Sequence, residues 1–165
     1  MTLTTDASRT GLGFLLTQTD KKGNTGLIQC GSRFLSDAEG NYAVVEIEAL
    51  AVQWAILKCR HYLLGAKFKV LTDHKPLVGV MNSKDIDSFS NARLQRICSK
   101  LIGYQFEVCY LPGKVNFVAD CLSRSPVFQP EASELKDVLV QTLKVEAFDP
   151  KLEAIILAAN VDDSY

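Results

Sequence analysis

Short apolar and β-branched runs, separated by polar segments, occupy the first 34 residues of the chain. Threonines lead up to Asp6 and suit a pleated strand, residues 8–11 carry turn chemistry, and an apolar run covers Leu12 to Thr17. A third extended run covers Thr25 to Phe34. Because the runs are joined by short turn segments, the pattern predicts an antiparallel meander of three strands.

A helical period replaces the extended pattern from about Tyr42 to Leu64. Its apolar side chains occupy both sides of the helix, so we expect a central and largely buried helix. At about 100° per residue, Glu48 lies about 60° from the main apolar stripe and Glu46 about 100°, which places Glu48 nearer the packed face. Gly65 predicts the end of this helix, since glycine favours the position after a helix C-terminus.

The second half of the chain continues with alternating extended and helical patterns. Because a helix separates it from the meander, the strand that ends before Asp73 is expected to run parallel to one of the first three strands. A polar loop is predicted at residues 85–90. The other predicted elements are a strand from Phe68 to Thr72, helices from Leu77 to Met81, Ala92 to Tyr104 (capped by Asn91) and Phe117 to Arg124 (capped by Asn116), and a strand from Gln105 to Leu111.

Length and charge divide the chain of 165 residues into a body and a tail. Residues 1–130 hold 15 Lys and Arg and 11 Asp and Glu, a balance of +4, whereas residues 131–165 hold 3 and 8, a balance of −5. We therefore predict one domain over residues 1–125 and an acidic linker with a helical tail over residues 126–165, where Glu134–Val145 and Lys151–Asn160 have helical patterns. The basic body is consistent with a polyanionic partner, although a charged face is usually only solvated.

Several classes of protein are disfavoured by the composition. No apolar run approaches the ~18 residues that a membrane span needs, and no charged segment followed by an apolar one begins the chain. The five cysteines form no C-x-x-C pair and the chain has only two histidines, which argues against a zinc site. We interpret the cysteines as reduced core side chains of an intracellular protein.

Four carboxylates are candidates for a shared site. Asp6 and Asp73 lie at the ends of strands, and these ends would meet at the same edge of the sheet if the strands are parallel neighbours. Glu48 lies on the buried helix, and Asp120 lies early in the last helix. Unpaired carboxylates that converge repel one another, so such a cluster makes sense only with cations, and oxygen ligands favour Mg²⁺ or Mn²⁺. Each acid also has an ordinary explanation: a turn for Asp6, a flank position for Glu48 and an i,i+4 salt bridge to Arg124 for Asp120.

Three cations share one face of the helix that follows Asn91. Arg93, Arg96 and Lys100 are spaced by three and four residues, which places them on one side of that helix. They are either a solvated face or a surface that contacts nucleic-acid phosphates.

Five segments, in a fixed order over about residues 3–125, resemble the RNase H domain of gypsy-type LTR retrotransposon polyproteins. The resemblance implies an α/β protein of the RNase H-like fold, with a five-stranded mixed sheet, an antiparallel meander plus parallel strands, flanked by helices. The segments are TDAS at Thr5–Ser8, SRFLSDAEGNYAVVEIEALAV at Ser32–Val52, RHYLLGAKFKVLTDHKPL at Arg60–Leu77, NARLQR at Asn91–Arg96 and YLPGKVNFVADCLSR at Tyr110–Arg124.

The resemblance also implies an activity and a site. It implies a ribonuclease H, an endonuclease that hydrolyses the RNA strand of RNA–DNA hybrids during reverse transcription by a two-metal-ion mechanism. Asp6, Glu48, Asp73 and Asp120 match the catalytic and metal-binding acids, with Glu46 ranked second to Glu48. The ions would be two Mg²⁺, for which Mn²⁺ can substitute, and no other cofactor is implied.

The implied partners are an RNA–DNA hybrid and a reverse transcriptase domain upstream in the polyprotein, with no membrane. The implied location is the cytoplasm, within retrotransposon particles. One departure is that no histidine follows His74, whereas cellular RNases H carry one in a loop before the last acid. The alternative hypothesis is a degenerate or domesticated module that acts as a structural tether or binds nucleic acid without catalysis.

Overall fold

A mixed β-sheet carries the N-terminal meander and two later strands that pair with it in parallel. The computed structural model describes residues 1–83 and 90–126. In these residues the sheet has five strands in the order β3-β2-β1-β4-β5, which confirms the expected fold class. The strands are β1 (Thr2–Ala7), β2 (Gly11–Thr19), β3 (Thr25–Phe34), β4 (Lys67–Thr72) and β5 (Gln105–Tyr110).

Five α-helices in the described residues flank this sheet. They are α1 (Val44–Lys58), α2 (Arg60–Leu63), α3 (Lys75–Asn82), α4 (Ala92–Ser99) and α5 (Phe117–Arg124), and a 3₁₀ turn at Glu39–Asn41 precedes α1.

Strand register brings two separated segments to one edge of the sheet. Strands β1 and β2 are antiparallel, whereas β1 and β4 are parallel with Thr4 opposite Leu71. Two residues beyond that pair lie Asp6 and Asp73, and side chains two residues apart on a strand point to the same face. The parallel crossover predicted from the sequence is therefore present, and it carries both acids to one place.

The core lies between the sheet and helices α1, α3 and α4. Helix α1 contributes fully buried small residues, including Ala49 and Ala55, which allow its backbone to approach the strands closely. Burying apolar surface of this kind is worth roughly 25 cal/mol per Å² and fixes α1 on the sheet. The largest fully buried apolar side chains are Leu3, Leu12, Phe14, Leu16, Val52, Ile56, Leu63, Val70, Leu77 and Val108.

Two predicted helices are shorter in the structure. The helix expected from Tyr42 to Leu64 divides at Cys59, whose φ of −92° and ψ of 13° interrupt the α-helical geometry. Sequence periodicity does not reveal this break because apolar residues continue through it. The helix expected to reach Tyr104 ends at Ser99, and i to i+3 hydrogen bonds then turn the chain toward β5. Gly65 has the positive φ, +77°, that its predicted position requires.

The two predicted helix caps have different outcomes. Asn91 caps α4 as expected, since its side-chain oxygen accepts hydrogen bonds from the amides of Arg93 and Leu94. Asn116 does not cap α5. It is buried, and its side-chain amide instead donates to the Thr5 carbonyl oxygen at 3.1 Å. The prediction was wrong because the side-chain amide of Asn116 is bonded instead to a carbonyl oxygen of β1, a strand far away in sequence.

The cysteines are only partly the core residues that we expected. Cys59 and Cys98 are buried, and burial raises the pKa of the Cys59 thiol to about 11. Cys30 and Cys121 are exposed, so the core interpretation is wrong for them. Among residues 1–83 and 90–126, every helix is too short or too polar to cross a membrane.

The chain divides into two units, Met1–Phe128 and Gln129–Tyr165, and the described residues belong to the first. The two helices predicted in the tail lie outside the described residues, as does almost all of the predicted loop at residues 85–90. The domain boundary expected between residues 125 and 126 stays a prediction.

Candidate metal centre

Three of the four candidate acids converge at the edge of the sheet. Asp6 comes from β1, Glu48 from α1 and Asp73 from the residue after β4, and one carboxylate oxygen of each lies within 4.8 Å of the others. Asp6 and Glu48 are each only 5% exposed. The structure therefore brings together three acids that are separated by 42 and 25 residues along the chain.

The environment of these acids disfavours their charged forms. Burial raises the pKa of Asp6 to about 6, and the carboxylates of Asp73 and Asp120 add to the shift, while the Ser123 hydroxyl opposes it. Burial also raises the pKa of Glu48 to about 9, with further contributions from Asp6 and Asp73. Without a counter-charge, Glu48 thus keeps at neutral pH a proton that an exposed carboxylate would release.

One oxygen of the cluster is left without a hydrogen-bond partner. Oε2 of Glu48 is buried and has none in the part of the chain that the structure describes. An unsatisfied buried carboxylate oxygen is costly unless it gains a proton or a cation. Since all three donors are carboxylates, the set fits a hard divalent cation of the Mg²⁺ or Mn²⁺ type better than zinc.

Asp120 lies outside this group of three. It is in the first turn of α5, and its Oδ1 accepts a hydrogen bond from Nε of Arg124 at 2.6 Å. The side chain is 36% exposed, yet it lies close enough to raise the pKa of Asp6. Asp120 therefore stands at the rim of the cluster, and the ion pair with Arg124 considered from the sequence is present.

Glu46 has a different role from Glu48, although both are buried at the start of α1. Its carboxylate accepts hydrogen bonds from the Ala43 amide, the Asn91 side-chain amide and the Arg93 guanidinium. These partners, with Asn91 the strongest, lower the pKa of Glu46 and keep it charged. Glu46 thus joins the start of α1 to the start of α4.

The three cations proposed for nucleic-acid binding also differ from one another. The Arg93 guanidinium pairs with Glu46 at 2.8 Å and stacks 3.8 Å from the centre of the Tyr42 ring. Arg93 is therefore already engaged in contacts within the protein. Arg96 and Lys100 are exposed. Their contact with a nucleic acid stays a prediction, and of the three residues they are the better placed to make it.

Sequence reasoning missed two residues that shape the centre. A Cβ on Gly113 would lie 2.9 Å from Oδ2 of Asp73, so a side chain at this position of the loop after β5 would force that carboxylate to shift. Ser123 donates a hydrogen bond to Asp6. Its spacing of three residues from Asp120 places both on neighbouring positions of one helix face, which is a signal the sequence did contain.

Known sequences of retroelement proteins are similar to this chain. The family model of the RNase H-like domain found in reverse transcriptase matches residues 1–104, which include Asp6, Glu48 and Asp73 and end before Asp120. The retrovirus-related Pol polyprotein from transposon 297 of Drosophila melanogaster is 43% identical over 132 residues, which are 80% of this chain and 12% of that protein. The Pol polyprotein from transposon gypsy of the same fly is 36% identical over 157 residues, 91% of this chain and 14% of that protein.

Solved structures share the fold. The crystal structure of LC11-RNase H1 in complex with an RNA/DNA hybrid has a TM-score of 0.57 and 17% identity, covering 76% of this chain and 95% of that chain. The native crystal structure of the prototype foamy virus protease–reverse transcriptase has a TM-score of 0.54 and 18% identity, covering 78% of this chain and 21% of that one.

Proposed function

Since this chain belongs to the RNase H-like domains found in reverse transcriptases, and resembles those of gypsy-type retrotransposon Pol polyproteins, we propose that it is a metal-dependent ribonuclease H. In this proposal it hydrolyses the RNA strand of RNA–DNA hybrids during reverse transcription. The observation that carries the proposal is the convergence of Asp6, Glu48 and Asp73 within 4.8 Å at the edge of the sheet.

The three converging acids would hold Mg²⁺, for which Mn²⁺ can substitute, and Asp120 at the rim would be a fourth ligand. When bound there, two such ions would supply activation of a water molecule and stabilisation of the leaving oxygen of a phosphodiester. Glu48, whose burial raises its pKa to about 9, must lose its proton before it can serve as a ligand. The parallel pairing of β1 with β4 keeps Asp6 and Asp73 in register without any help from the substrate.

The proposed substrate is a hybrid because structures of this fold have been solved with one: LC11-RNase H1 and the foamy viral protease–reverse transcriptase are both described in complex with an RNA/DNA hybrid. The 2′-hydroxyl and the groove shape allow a protein to distinguish RNA from DNA. Arg96 and Lys100, exposed on and just after α4, would contact phosphates of the hybrid.

The proposed setting is a Pol polyprotein in retrotransposon particles of the cytoplasm, with a reverse transcriptase domain upstream. The support for it is the naming of the relatives as Pol polyproteins, of which the chain spans 12% and 14%.

One observation favours the alternative of a module without catalysis. The Nε of Arg124 holds Oδ1 of Asp120 at 2.6 Å, and a fourth acid that stays in this ion pair has only its other oxygen to offer a metal. The two hypotheses differ in whether Asp120 leaves Arg124 when ions and hybrid are present.

Cleavage of a hybrid with a labelled RNA strand tests the proposed function. With Mg²⁺ present, we expect the wild-type chain to cut the RNA strand and Asp73→Asn to lose at least about 100-fold in rate, because a metal ligand is lost. Asp37→Asn is the matched control, since it removes an exposed acid in another part of the chain and should cut normally. Equal rates for wild type and Asp73→Asn, or no cleavage by either, would overturn the proposal.

A further inference from the structure

Helix α5 is fixed tightly against the ends of β1 and β2. A Cβ on Gly13, the residue paired with Asp6, would lie 2.5 Å from the Ala119 carbonyl oxygen and 2.6 Å from the Ser123 amide nitrogen. The Ser8 hydroxyl donates to the Ser123 carbonyl oxygen at 2.7 Å. This close approach leaves Ser123 with no solvent exposure, directly beside the candidate metal centre.

The Ser123 hydroxyl has two acceptors within reach and one proton to give. Its oxygen lies 2.5 Å from Oδ2 of Asp6 and 3.0 Å from the carbonyl oxygen of Asp120. Hydrogen bonds to carboxylates are shorter and stronger than those to neutral carbonyls. The proton is therefore directed to Asp6, and the Asp120 carbonyl is the weaker alternative.

This hydrogen bond has two consequences for the Asp6 carboxylate. Holding Oδ2 restricts rotation of the carboxylate, which sets the direction in which Oδ1 faces. The bond also opposes the effect of burial, because donation from Ser123 lowers the pKa of Asp6. Groups that hydrogen-bond to metal ligands orient them in this way, and their loss costs about 10–100-fold in metal affinity.

We propose that Ser123 is a positioning residue for the metal centre, which presents the Asp6 carboxylate to a divalent cation through its hydroxyl. The inference rests on the proposed function and adds to it a residue that touches neither metal nor substrate. Because Ser123 and Asp120 lie on the same short helix, the docking of α5 sets both the orientation of Asp6 and the place of Asp120.

The test is Mn²⁺ affinity, measured calorimetrically on the full chain without nucleic acid, for a series of substitutions at this position. We expect Ser123→Ala to bind Mn²⁺ about 10–100-fold more weakly. Ser123→Thr keeps the hydroxyl and should retain most of the affinity, and Ser123→Cys, a weaker donor of similar size, should fall between them. Ser99→Ala is the control, since the Ser99 hydroxyl donates to the Gln95 carbonyl within α4 and its loss should leave affinity unchanged.

A purely structural role for Ser123 predicts a different order. In a fully buried position the extra methyl group of threonine would then be the most harmful change and alanine the mildest. Cleavage gives a second readout: Ser123→Ala should lower kcat at limiting Mn²⁺, recover at high Mn²⁺ and keep the KM for the hybrid. Affinity in Ser123→Ala and Ser123→Cys equal to wild type overturns the inference, whereas absence of Mn²⁺ binding and cleavage in the wild type overturns the proposed function itself.

Discussion

At the scale of single residues, Glu48 carries the strongest electrostatic signature of the site. Its carboxylate is buried beside two others, one of its oxygens has no partner among the described residues, and its pKa is raised to about 9. Glu46, two positions earlier and equally buried, has its partners in place and a lowered pKa. The contrast shows that Glu46 is satisfied by the protein, whereas Glu48 lacks a counter-charge.

The raised pKa values predict how the metal-free protein responds to pH. Between about 4.5 and 9 the folded state keeps a proton on Glu48 that the unfolded chain releases, so stability falls as pH rises. Asp6 adds to this fall between about 4 and 6. We expect the Tm in a chelator to decrease from pH 5 to pH 9, and Glu48→Gln to flatten the decrease and raise the Tm at pH 8. A Tm that is level over this range in both proteins would contradict the assignment.

At the scale of elements, the starts of α1 and α4 are joined by one buried acid. Glu46 accepts hydrogen bonds from the amide of Ala43, the residue just before α1, and from the side chains of Asn91 and Arg93 at the start of α4. Asn91 in turn caps α4. This junction fixes the first turn of the helix that carries Glu48, so the position of the candidate metal centre depends on α4 as well as on the sheet.

Two arginines of α4 give a matched pair of substitutions. Arg93→Ala should destabilise the protein by about 1–3 kcal/mol, because it leaves a buried carboxylate without its cation. Arg96→Ala should leave stability unchanged, but weaken hybrid binding at low salt and reduce the salt dependence of the Kd by about one counterion. Urea unfolding without metal and hybrid binding at several salt concentrations check these outcomes. Equal stability of the two variants would show that the Glu46 junction is unimportant.

At the scale of the whole molecule, the excess of negative charge lies in a different part of the chain from the candidate metal centre. The three clustered acids, Asp120 and their supporting residues all lie in residues 1–126, whereas residues 131–165 carry the acidic balance of −5. A region of negative charge repels a polyanionic partner, and such repulsion is screened by salt.

Deleting residues 131–165 should therefore leave cleavage of a hybrid intact and tighten hybrid binding at low salt. The comparison is between the full chain and residues 1–130, by binding at low and high salt and by the Tm. Loss of soluble protein or of cleavage after the deletion would contradict this expectation.

Much of the architecture could be predicted from sequence because it depends on local periodicity. The meander, the crossover to β4 and the return of Asp73 to the edge near Asp6 follow from strand and helix patterns and the rule for parallel connections. What could not be predicted depends on long-range partners. The hydrogen bond of Ser123 joins positions 117 residues apart, and that of Asn116 joins positions 111 apart.

The angular position of an acid on a helix was likewise insufficient to separate Glu46 from Glu48. Both side chains are buried in the structure. Among the described residues, α4 supplies an ion-pair partner to Glu46 but not to Glu48, and this contact distinguishes the two acids. The resemblance to a known family supplied the choice of Glu48, and the geometry adds a physical reason for it.

The most direct measurement is the crystal structure of the wild-type chain with Mn²⁺, located by its anomalous scattering. We expect an Mn²⁺ peak coordinated by carboxylate oxygens of Asp6, Glu48 and Asp73, with Ser123 still donating to Asp6. A well-ordered structure with saturating Mn²⁺ in which these three carboxylates bind no ion would contradict it.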